Sequence, residues 1–329
     1  MTKELIIINE QSGIPLIGTI MFGIIDRGTN LLQIRPTTEC PLNCEFCSTD
    51  SGPKSRTRQT DYRIDTNYLI KWLEEVVKEK ECEIEANIDS VGEPMMQPDF
   101  TNLVKKIKQI KAITKITMQT NGVLLTKQKI TELEKAGINR INLSIETLNP
   151  EKAKKLSGNQ NYDVNKIIET AKEIAKTKIE LLLAPVWIPK ENDSDIEDII
   201  KFAKEIGAKL GIQKYETYKY SRKVKGAKTV NYWKFYKKLE EWEKKYDIKL
   251  KLSKEDFQIK KCKRIPEVLE VGDKIMAEIK CKGWMQGQMI GTAKNRAITI
   301  NNCNKEIGKS SLIKIVENKN NLYIAEMIK

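Results

Sequence analysis

Three cysteines stand close together in the first fifty residues of the chain. Cys40, Cys44 and Cys47 form the run CPLNCEFC, a C-x₃-C-x₂-C spacing, and no cysteine precedes them. Three thiolates at this spacing can ligate three irons of a four-iron, four-sulfur cluster and leave the fourth iron open to a small molecule. A disulfide fragment or part of a zinc site would be the alternatives. However, the chain has no histidine and no second CxxC pair to complete a zinc tetrahedron.

Phe46 precedes the third cysteine and completes the pattern CxxxCxΦC. With this residue the sequence resembles the radical S-adenosylmethionine (radical SAM) superfamily. The resemblance implies a 4Fe-4S cluster on the three cysteines, with the methionyl amine and carboxylate of SAM on the open iron. An external electron donor would reduce the cluster. Reductive cleavage would then give methionine and a 5′-deoxyadenosyl radical that abstracts a substrate hydrogen.

Two further short motifs resemble elements of the same superfamily. Val91-Gly92-Glu93-Pro94 follows the second predicted barrel strand and is similar to the family's GGE element, with Val91 in place of the first glycine. The resemblance implies that Gly92 allows close backbone approach and that Glu93 faces the methionyl ammonium. Asn121 lies in a Thr-Asn-Gly run that resembles the TNG element after the third strand. An ordinary Gly-Glu-Pro turn is the alternative for the first motif.

The fourth and fifth strands end in further candidate residues. Ser144 and Glu146 lie in LSIET, and the resemblance places them near the ribose and methionyl carboxylate of SAM. Trp187 ends the fifth strand, and it and Phe46 are the candidates for packing against adenine. A wet barrel lining is the alternative for Ser144 and Glu146, and simple core packing is the alternative for Trp187. No residue stands out as a catalytic acid or base.

Strands and helices alternate from Leu31 onward, which predicts an α/β fold with parallel strands and crossover helices. Six such units over residues 31–257 fit a partial (β/α)6 TIM-like barrel, the fold that the resemblance also implies. In INLSIE and EIEANID, polar residues alternate with apolar ones, so we expect a polar inner face. The predicted strands are 31–35, 83–89, 115–119, 140–146, 179–187 and 209–215. The predicted helices are 65–78, 100–110, 127–136, 164–176, 196–206 and 232–246.

The two ends of the chain read differently from its middle. Residues 1–30 have apolar runs broken by Ser12-Gly13 and Gly18, which predict a short N-terminal hairpin. Residues 258–329 become all-β from Val271 and predict a small C-terminal barrel of the OB type. Its glycine run and basic strands resemble a TRAM domain, an RNA-binding module of several tRNA-modifying enzymes. A barrel that merely caps the catalytic domain is the alternative.

Charge and apolar content limit the partners. The chain of 329 residues carries +13, and residues 258–329 hold fourteen Lys or Arg against seven Asp or Glu, so +7 lies there. This excess favours a polyanion partner, although Lys- and Glu-rich composition is also typical of thermophiles. No apolar run is long enough to span a membrane and no secretory signal is visible, so we expect a cytoplasmic protein. The other four cysteines are expected to be isolated, buried apolar residues: Cys82, Cys262, Cys281 and Cys303.

The sequence therefore predicts a radical SAM enzyme that modifies RNA, most plausibly tRNA, with the basic C-terminal domain on the phosphates. A radical SAM enzyme acting on a protein or small metabolite is the first alternative. An RNA-binding protein with a structural or redox-sensing Fe-S cluster is the second.

Overall fold

The computed structural model describes residues 3–328, so Met1, Thr2 and Lys329 at the ends of the predicted segments 1–30 and 258–329 lie outside it. The chain divides into two compact units. The first unit comprises Met1–Glu39, Arg56–Lys115 and Ile259–Lys329, and the second comprises Cys40–Ser55 and Ile116–Gln258. Within the described residues, no helix has the length and apolar content that crossing a membrane requires.

Residues 3–328 form sixteen strands and seven α-helices. The strands are β1 Glu4–Ile8, β2 Gly23–Asp26, β3 Leu31–Arg35, β4 Thr60–Ile64, β5 Ile84–Ile88, β6 Ile113–Thr120, β7 Arg140–Leu143, β8 Glu180–Leu183, β9 Val186–Trp187, β10 Lys209–Leu210, β11 Gln213–Lys214, β12 Lys274–Lys282, β13 Met289–Ala293, β14 Arg296–Asn301, β15 Ser310–Glu317 and β16 Ile324–Met327. The helices are α1 Thr66–Lys80, α2 Phe100–Gln109, α3 Lys127–Ala136, α4 Pro150–Ser157, α5 Val164–Ala175, α6 Asp193–Ile206 and α7 Tyr232–Tyr246.

The predicted N-terminal hairpin is wrong. β1 pairs in parallel with β4, and β2 pairs antiparallel with β3, so the two N-terminal strands have different partners. The connection between them is itself mostly buried and packs as core, with Ile14, Leu16 and Phe22 almost fully inaccessible. Apolar runs separated by glycines look alike whether they pair with each other or with strands far along the chain. Sequence spacing therefore could not separate the two arrangements.

The predicted small barrel at the C-terminus is present in the first unit as a closed, five-stranded barrel. Its strand order is β12-β13-β14-β16-β15. β14 and β16 are parallel, while the other four neighbouring pairs are antiparallel. Burial alternates along β12 and β15, because every second side chain of a strand points into the barrel. The barrel core includes Ile279, Ile298, Ile313 and Tyr323.

The barrel is bonded to other segments of the first unit. The Oγ1 of Thr60 donates a 2.8 Å hydrogen bond to the carbonyl of Gly283, and the hydroxyl of Tyr62 donates to the carbonyl of Lys282. A Cβ on Gly18 would lie 1.9 Å from the carbonyl oxygen of Ala297, so only glycine fits there. The sequence division at residues 30 and 257 stays a prediction about which parts fold independently.

The second unit shows the predicted alternation of parallel strands and helices. β6, β7, β8 and β10 are parallel neighbours in that order. The strand predicted at 140–146 is shorter in the structure, where β7 ends at Leu143. Ser144 and Glu146 therefore lie in the loop at its carboxyl end. The sequence analysis missed α4, although Asn149 caps it and Pro150 occupies its first turn. Gly137 ends α3 in the left-handed region, at the boundary predicted for the helix 127–136.

The predicted polar inner face is buried and paired. In β7 of the second unit, the Nε of Arg140 donates a 3.0 Å hydrogen bond to the Oδ1 of Asn142, and both side chains are buried. In β5 of the first unit, buried Glu85 lies 3.5 Å from the ammonium of Lys115. Pairing offsets the cost of burying such groups, which is about 1–3 kcal/mol each when a partner is missing.

Candidate functional site

The cysteine loop of the second unit is anchored on the end of α4. The N–H of Asn43 donates to the carbonyl of Ser157, and the N–H of Glu45 donates to the carbonyl of Leu156, at 3.0 and 2.8 Å. Gly158 makes this approach possible, because a Cβ there would lie 2.2 Å from the carbonyl oxygen of Asn43. The missed helix α4 therefore positions the loop that carries the three cysteines.

A second segment holds the loop from its other end. The N–H of Arg222 donates a 2.9 Å hydrogen bond to the carbonyl of Cys47, and the Oγ of Ser221 donates one of equal length to the carbonyl of Ser48. The Nε of Arg222 also lies 3.3 Å from the Oδ1 of Asp50, and this carboxylate is almost fully buried. The sequence analysis missed these contacts because about 170 residues separate the partners.

The three thiols have different electrostatic surroundings. Burial raises the pKa of Cys47, but hydrogen bonds from the Ser51 and Thr49 hydroxyls and backbone outweigh it and bring the pKa down to about 7. The pKa of the Cys44 thiol is raised, first by burial and then by the charges of Glu146, Cys40 and Cys47. The charges of Glu146, Cys40 and Cys47 therefore act on Cys44 at short range. A lowered pKa favours the thiolate, which is the form that binds metal.

Glu146 is held in place by Asn192, a fully buried residue that the sequence analysis missed. The Nδ2 of Asn192 donates 3.0 Å hydrogen bonds to the carbonyls of Glu146 and Val186. Its Oδ1 accepts a 2.7 Å bond from the N–H of Ile188, so the amide is fully used. The carboxylate of Glu146 accepts from its own N–H and that of Val186, yet burial dominates and raises its pKa to about 7.

Tyr162 is a further residue of the site that sequence reasoning did not find. Its hydroxyl is buried, and its pKa is raised by burial and then by the charges of Glu146 and Cys44. It follows α4 in a loop of Asn and Gly residues, where no sequence motif marks it. A cavity of about 620 Å³ opens beside Tyr162, lined also by Leu42, Gly122 and Lys166. Its volume suits a small ligand.

The other predicted polar residues of the second unit lie at strand ends. The N–H of Ser144 donates a 2.9 Å hydrogen bond to the carbonyl of Thr120, which joins the loops after β6 and β7. The Oδ1 of Asn121 accepts from the N–H of Val123 and forms a tight turn. Gly122 has a φ of +77° and packs against Leu143, where a Cβ would lie 2.7 Å from a methyl group. Their predicted contacts with SAM stay predictions.

The two aromatic candidates differ in their surroundings. Phe46 is half-buried and packs against the core cluster of Leu156, Ile188, Tyr215 and Val224. Trp187 is buried, and its Nε1 donates a 3.0 Å hydrogen bond to Asp193. Its ring lies 6.0 and 5.4 Å from those of Phe235 and Trp242. The core-packing alternative accounts for these contacts of Trp187, and its predicted contact with adenine stays a prediction.

Gly92 and Glu93 lie in the first unit, after β5. A Cβ on Gly92 would lie 2.2 Å from the carbonyl oxygen of Glu39, and the N–H of Glu93 donates a 2.7 Å hydrogen bond to the same oxygen. The Oε1 of Glu93 accepts from the N–H of Met95 and caps the following turn. The predicted close backbone approach at Gly92 is thus present, against residue 39. The predicted roles of both residues toward SAM stay predictions.

The arginines after the cysteine loop have separate surroundings in the first unit. Arg58 is buried and donates to the carbonyls of Thr38 and Val91 at 3.1 and 2.8 Å. Its guanidinium carbon lies 4.0 Å above the ring of Trp284. These contacts give Arg58 a structural role in place of the anionic substrate contact that an arginine here could make. Arg56 is exposed.

Two of the four remaining cysteines contradict the sequence analysis. Cys82 and Cys262 form a disulfide in the first unit, with their Cα atoms 6.7 Å apart, so they are not isolated thiols. Their separation of 180 residues hid the pairing. Cys281 and Cys303 are buried thiols in the barrel, as predicted.

The residues of the second unit fit a cluster with three protein ligands. Across residues 3–328, no three His, Cys, Asp or Glu side chains already converge in metal-binding geometry. The donor set is nevertheless suitable, because three thiols share one loop that is tied down at both ends, and the pKa of Cys47 is near neutrality.

Comparison with known proteins decides the family. Residues 34–203 match the family described as the Radical SAM superfamily. The chain belongs to this superfamily. It is therefore a radical SAM enzyme, and its cofactors are a 4Fe-4S cluster and S-adenosylmethionine.

Two curated proteins illustrate what this chain is similar to in sequence. The uncharacterized protein MJ0103 of Methanocaldococcus jannaschii is 38% identical over 99% of this chain and 81% of its own length. The GTP 3′,8-cyclase of Peptoclostridium acidaminophilum is 30% identical over 53% of this chain and 51% of its own length. The chain thus spans about half the length of this cyclase.

Solved radical SAM structures show the same fold. SuiB of Streptococcus suis bound to its precursor peptide SuiA aligns with a TM-score of 0.55 at 19% identity, over 69% of this chain and 48% of SuiB. SuiB bound to S-adenosylmethionine aligns with a TM-score of 0.50 at 20% identity, over 72% of this chain and 49% of SuiB. At these identities the likeness concerns the fold alone.

Proposed function

We propose that Cys40, Cys44 and Cys47 hold the cluster at which this enzyme cleaves SAM, and that its substrate contains a nucleotide. The observation that carries the site is the loop with all three thiols, which hydrogen bonds tie down at both ends, to α4 and to residues 221–222. When bound, the cluster supplies an electron that splits the S–C5′ bond of SAM into methionine and a 5′-deoxyadenosyl radical. The electron itself comes from an external donor.

The protein residues contribute positioning and exclusion of water. Hydrogen bonds from Ser51 and Thr49 stabilise the Cys47 thiolate for ligation. Glu146, fixed by Asn192, offers a carboxylate whose protonation changes near neutral pH. In our proposal Ser144 and Asn121 supply polar contacts to the ribose and methionyl groups, and Phe46 and Tyr162 shield the site from solvent.

RNA is the first substrate candidate, and tRNA is the kind of RNA that we favour. The support is the basic C-terminal barrel of five strands, in the order β12-β13-β14-β16-β15 with one parallel pair, which we interpret as a barrel of the OB type. Such barrels often bind oligonucleotides, as TRAM-like domains are expected to do. A net charge of +7 in residues 258–329 suits phosphate.

A free nucleotide or another small metabolite is the second candidate. The name of the cyclase relatives states that they act on GTP, and they match about half of this chain at about 30% identity. Because the chain spans about half of their length, their reaction is not transferred. A small metabolite requires no polynucleotide surface, so binding to RNA separates the two candidates.

Reductive SAM cleavage tests the proposed site. The protein is reconstituted anaerobically with iron and sulfide, reduced with dithionite and incubated with SAM, and 5′-deoxyadenosine is measured by liquid chromatography. We expect the wild type to form it, and Cys40→Ala, Cys44→Ala and Cys47→Ala each to lose the product and the cluster's absorption near 400 nm. Cys281→Ala, which removes a buried thiol of the barrel, is the matched control and keeps both. Unchanged cluster loading in the three loop variants would overturn the assignment.

Nucleoside analysis separates the substrate candidates. RNA from cells with and without the protein is digested to nucleosides and compared by mass spectrometry. A modified nucleoside that is missing only from the cells without the protein supports RNA as the substrate. Expression of the Cys44→Ala variant in these cells should not restore that nucleoside. Identical nucleosides, combined with substrate-dependent 5′-deoxyadenosine from GTP or another metabolite, would exclude RNA as the substrate.

A further inference from the structure

An unusual cluster of exposed rings lies on the second unit, between the end of β11 and the middle of α7. We name residues 214–238 the aromatic–basic surface. Among residues 3–328, all the largely exposed Tyr, Trp and Phe side chains belong to this segment. They are Tyr218, Tyr220, Tyr232, Trp233 and Tyr236. Trp233 is 68% exposed, although indole rings usually bury most of their area. Five such rings on one segment need a partner to explain them.

The same segment carries a concentrated positive charge. Residues 214–238 contain nine Lys or Arg and a single acidic residue, Glu216, so their net charge is +8. With +7 in residues 258–329 and +13 overall, the rest of the chain is close to neutral at −2. Within the described chain, only Lys214, Arg222 and Lys238 of the segment have a carboxylate within 4.0 Å. The other six lysines have none, and they are Lys219, Lys223, Lys225, Lys228, Lys234 and Lys237.

Lysine ammonium groups lie against the exposed rings. The Nζ of Lys237 is 5.1 Å from the ring centre of Trp233. The Nζ of Lys214 is 4.9 Å from the ring centre of Tyr232, but this side chain is only 8% exposed and pairs with Glu216 at 2.8 Å, so it is not available to a phosphate. The rings of Tyr232 and Tyr236, one helical turn apart, are nearly parallel with centres 6.2 Å apart. Flat faces with adjacent cations are what a stacked base and its phosphate require.

The aromatic–basic surface is held on a rigid base. Phe235, Leu239 and Trp242 bury the opposite face of α7, so the exposed rings stand on an anchored helix. At the other end, the N–H of Val224 donates a 3.1 Å hydrogen bond to the hydroxyl of Tyr215. Between them, Arg222 bonds to the carbonyl of Cys47. The surface therefore begins at the loop that carries the cysteines.

We propose that the aromatic–basic surface binds single-stranded RNA, with bases stacked on Trp233, Tyr236 and Tyr232 and phosphates on the neighbouring lysines. This places the bases of the RNA on the second unit, whereas the charge of the C-terminal barrel, which supports RNA as the first substrate candidate, would act on phosphates elsewhere along the strand. The barrel is less suited, because its exposed apolar side chains are aliphatic, such as Met276 and Leu312. The choice of a nucleotide ligand rests on the proposed function. RNA binding to this surface can nevertheless be measured without any SAM cleavage.

Fluorescence anisotropy of the full-length protein tests this surface. The probes are a labelled twelve-nucleotide single-stranded RNA of mixed sequence and the matching duplex. We expect the single strand to bind more tightly, and Trp233→Ala/Tyr236→Ala to weaken it about tenfold or more. Lys234→Gln/Lys237→Gln should lower the slope of log affinity against log salt by about 1.4. These side chains are exposed, so an unchanged melting temperature will show that each variant folds.

The barrel, as the competing RNA contact, is tested with Lys274→Gln/Lys314→Gln, which removes two exposed lysines that face each other on β12 and β15. We expect this variant to bind RNA within about twofold of the wild type. The inference is overturned if the single strand does not bind, if duplex binds equally well, if the aromatic variant binds normally, or if only the barrel variant loses binding. Loss of a wild-type dimer in the aromatic variant, with RNA affinity unchanged, would assign the surface to self-association instead.

These outcomes are separate from those that test the reaction. SAM cleavage with no RNA binding would overturn the surface and leave the proposed function standing. RNA binding by a protein that never forms 5′-deoxyadenosine would support the surface and favour an RNA-binding protein with a structural cluster.

Discussion

The N–H of Arg222 donates a 2.9 Å hydrogen bond to the carbonyl oxygen of Cys47. The guanidinium of the same residue lies 3.3 Å from Asp50, three positions beyond the cysteine. One residue therefore fixes the third cysteine and the turn after it, and joins the aromatic–basic surface to the cysteine loop. The arrangement makes the shape of the loop depend on a residue far along the chain.

Asp50→Asn tests this dependence. The substitution leaves the Arg222 guanidinium, only 17% exposed, without its buried counter-ion. We expect the free energy of unfolding to fall by about 3 kcal/mol in urea titrations of the apo protein, and iron retention after reconstitution to fall with it. Asp198→Asn is the matched control, because its pair with Lys201 on α6 is exposed and should contribute nothing measurable. Equal effects of the two substitutions would contradict this account.

Glu146 predicts a pH dependence of stability. Its pKa is about 7 in the folded protein against an ordinary 4.5, because burial disfavours the carboxylate. Between these values the folded state holds a proton that the unfolded state has released, so stability falls as pH rises through the window. We expect the melting temperature of the apo protein to fall more between about pH 5 and pH 8 for the wild type than for Glu146→Gln. Parallel curves would show that the carboxyl titrates normally.

The disulfide between Cys82 and Cys262 predicts a redox-dependent stability. It closes a loop of 180 residues, which restricts the unfolded chain. We expect Cys82→Ser/Cys262→Ser to lose about 3 kcal/mol of unfolding free energy and to keep its iron content. Mass spectrometry of alkylated protein, prepared anaerobically without reductant, should show both residues protected. Full alkylation of both would show that the thiols are reduced, as the expected cytoplasmic location favours.

A buried ion pair predicts that two lysines of helix α1 differ in their contribution to stability. The Nζ of Lys80 lies 2.7 Å from the Oδ1 of Asp26, and both side chains are at most 1% exposed. Lys80→Met would strand the carboxylate in the core, so we expect a loss of about 3 kcal/mol or more in urea unfolding. Lys78→Met, on the exposed face of α1, is the control and should be neutral. Similar midpoints for the two variants would contradict the prediction.

The local parts of the fold were predictable from the sequence. Helices α3 and α7 begin and end at the predicted residues, because caps and apolar periodicity are read within one segment. The strand at Leu31–Arg35 was found for the same reason. Residues 144–146 were assigned to a strand but lie beyond its end, since the hydrogen-bonded partners that end a strand lie on other segments.

The sequence alone determined the chemistry of the chain. Three cysteines within eight residues identify the superfamily and hence the cofactors, because a contiguous loop brings its own thiols together wherever it lies in the fold. Only the tertiary structure decided which distant residues support that loop. Arg222 at Cys47, Asn192 at Glu146 and the bond between Cys82 and Cys262 join positions far apart in the chain. Such pairs follow from the packing of whole elements, and no local pattern of residue types encodes them.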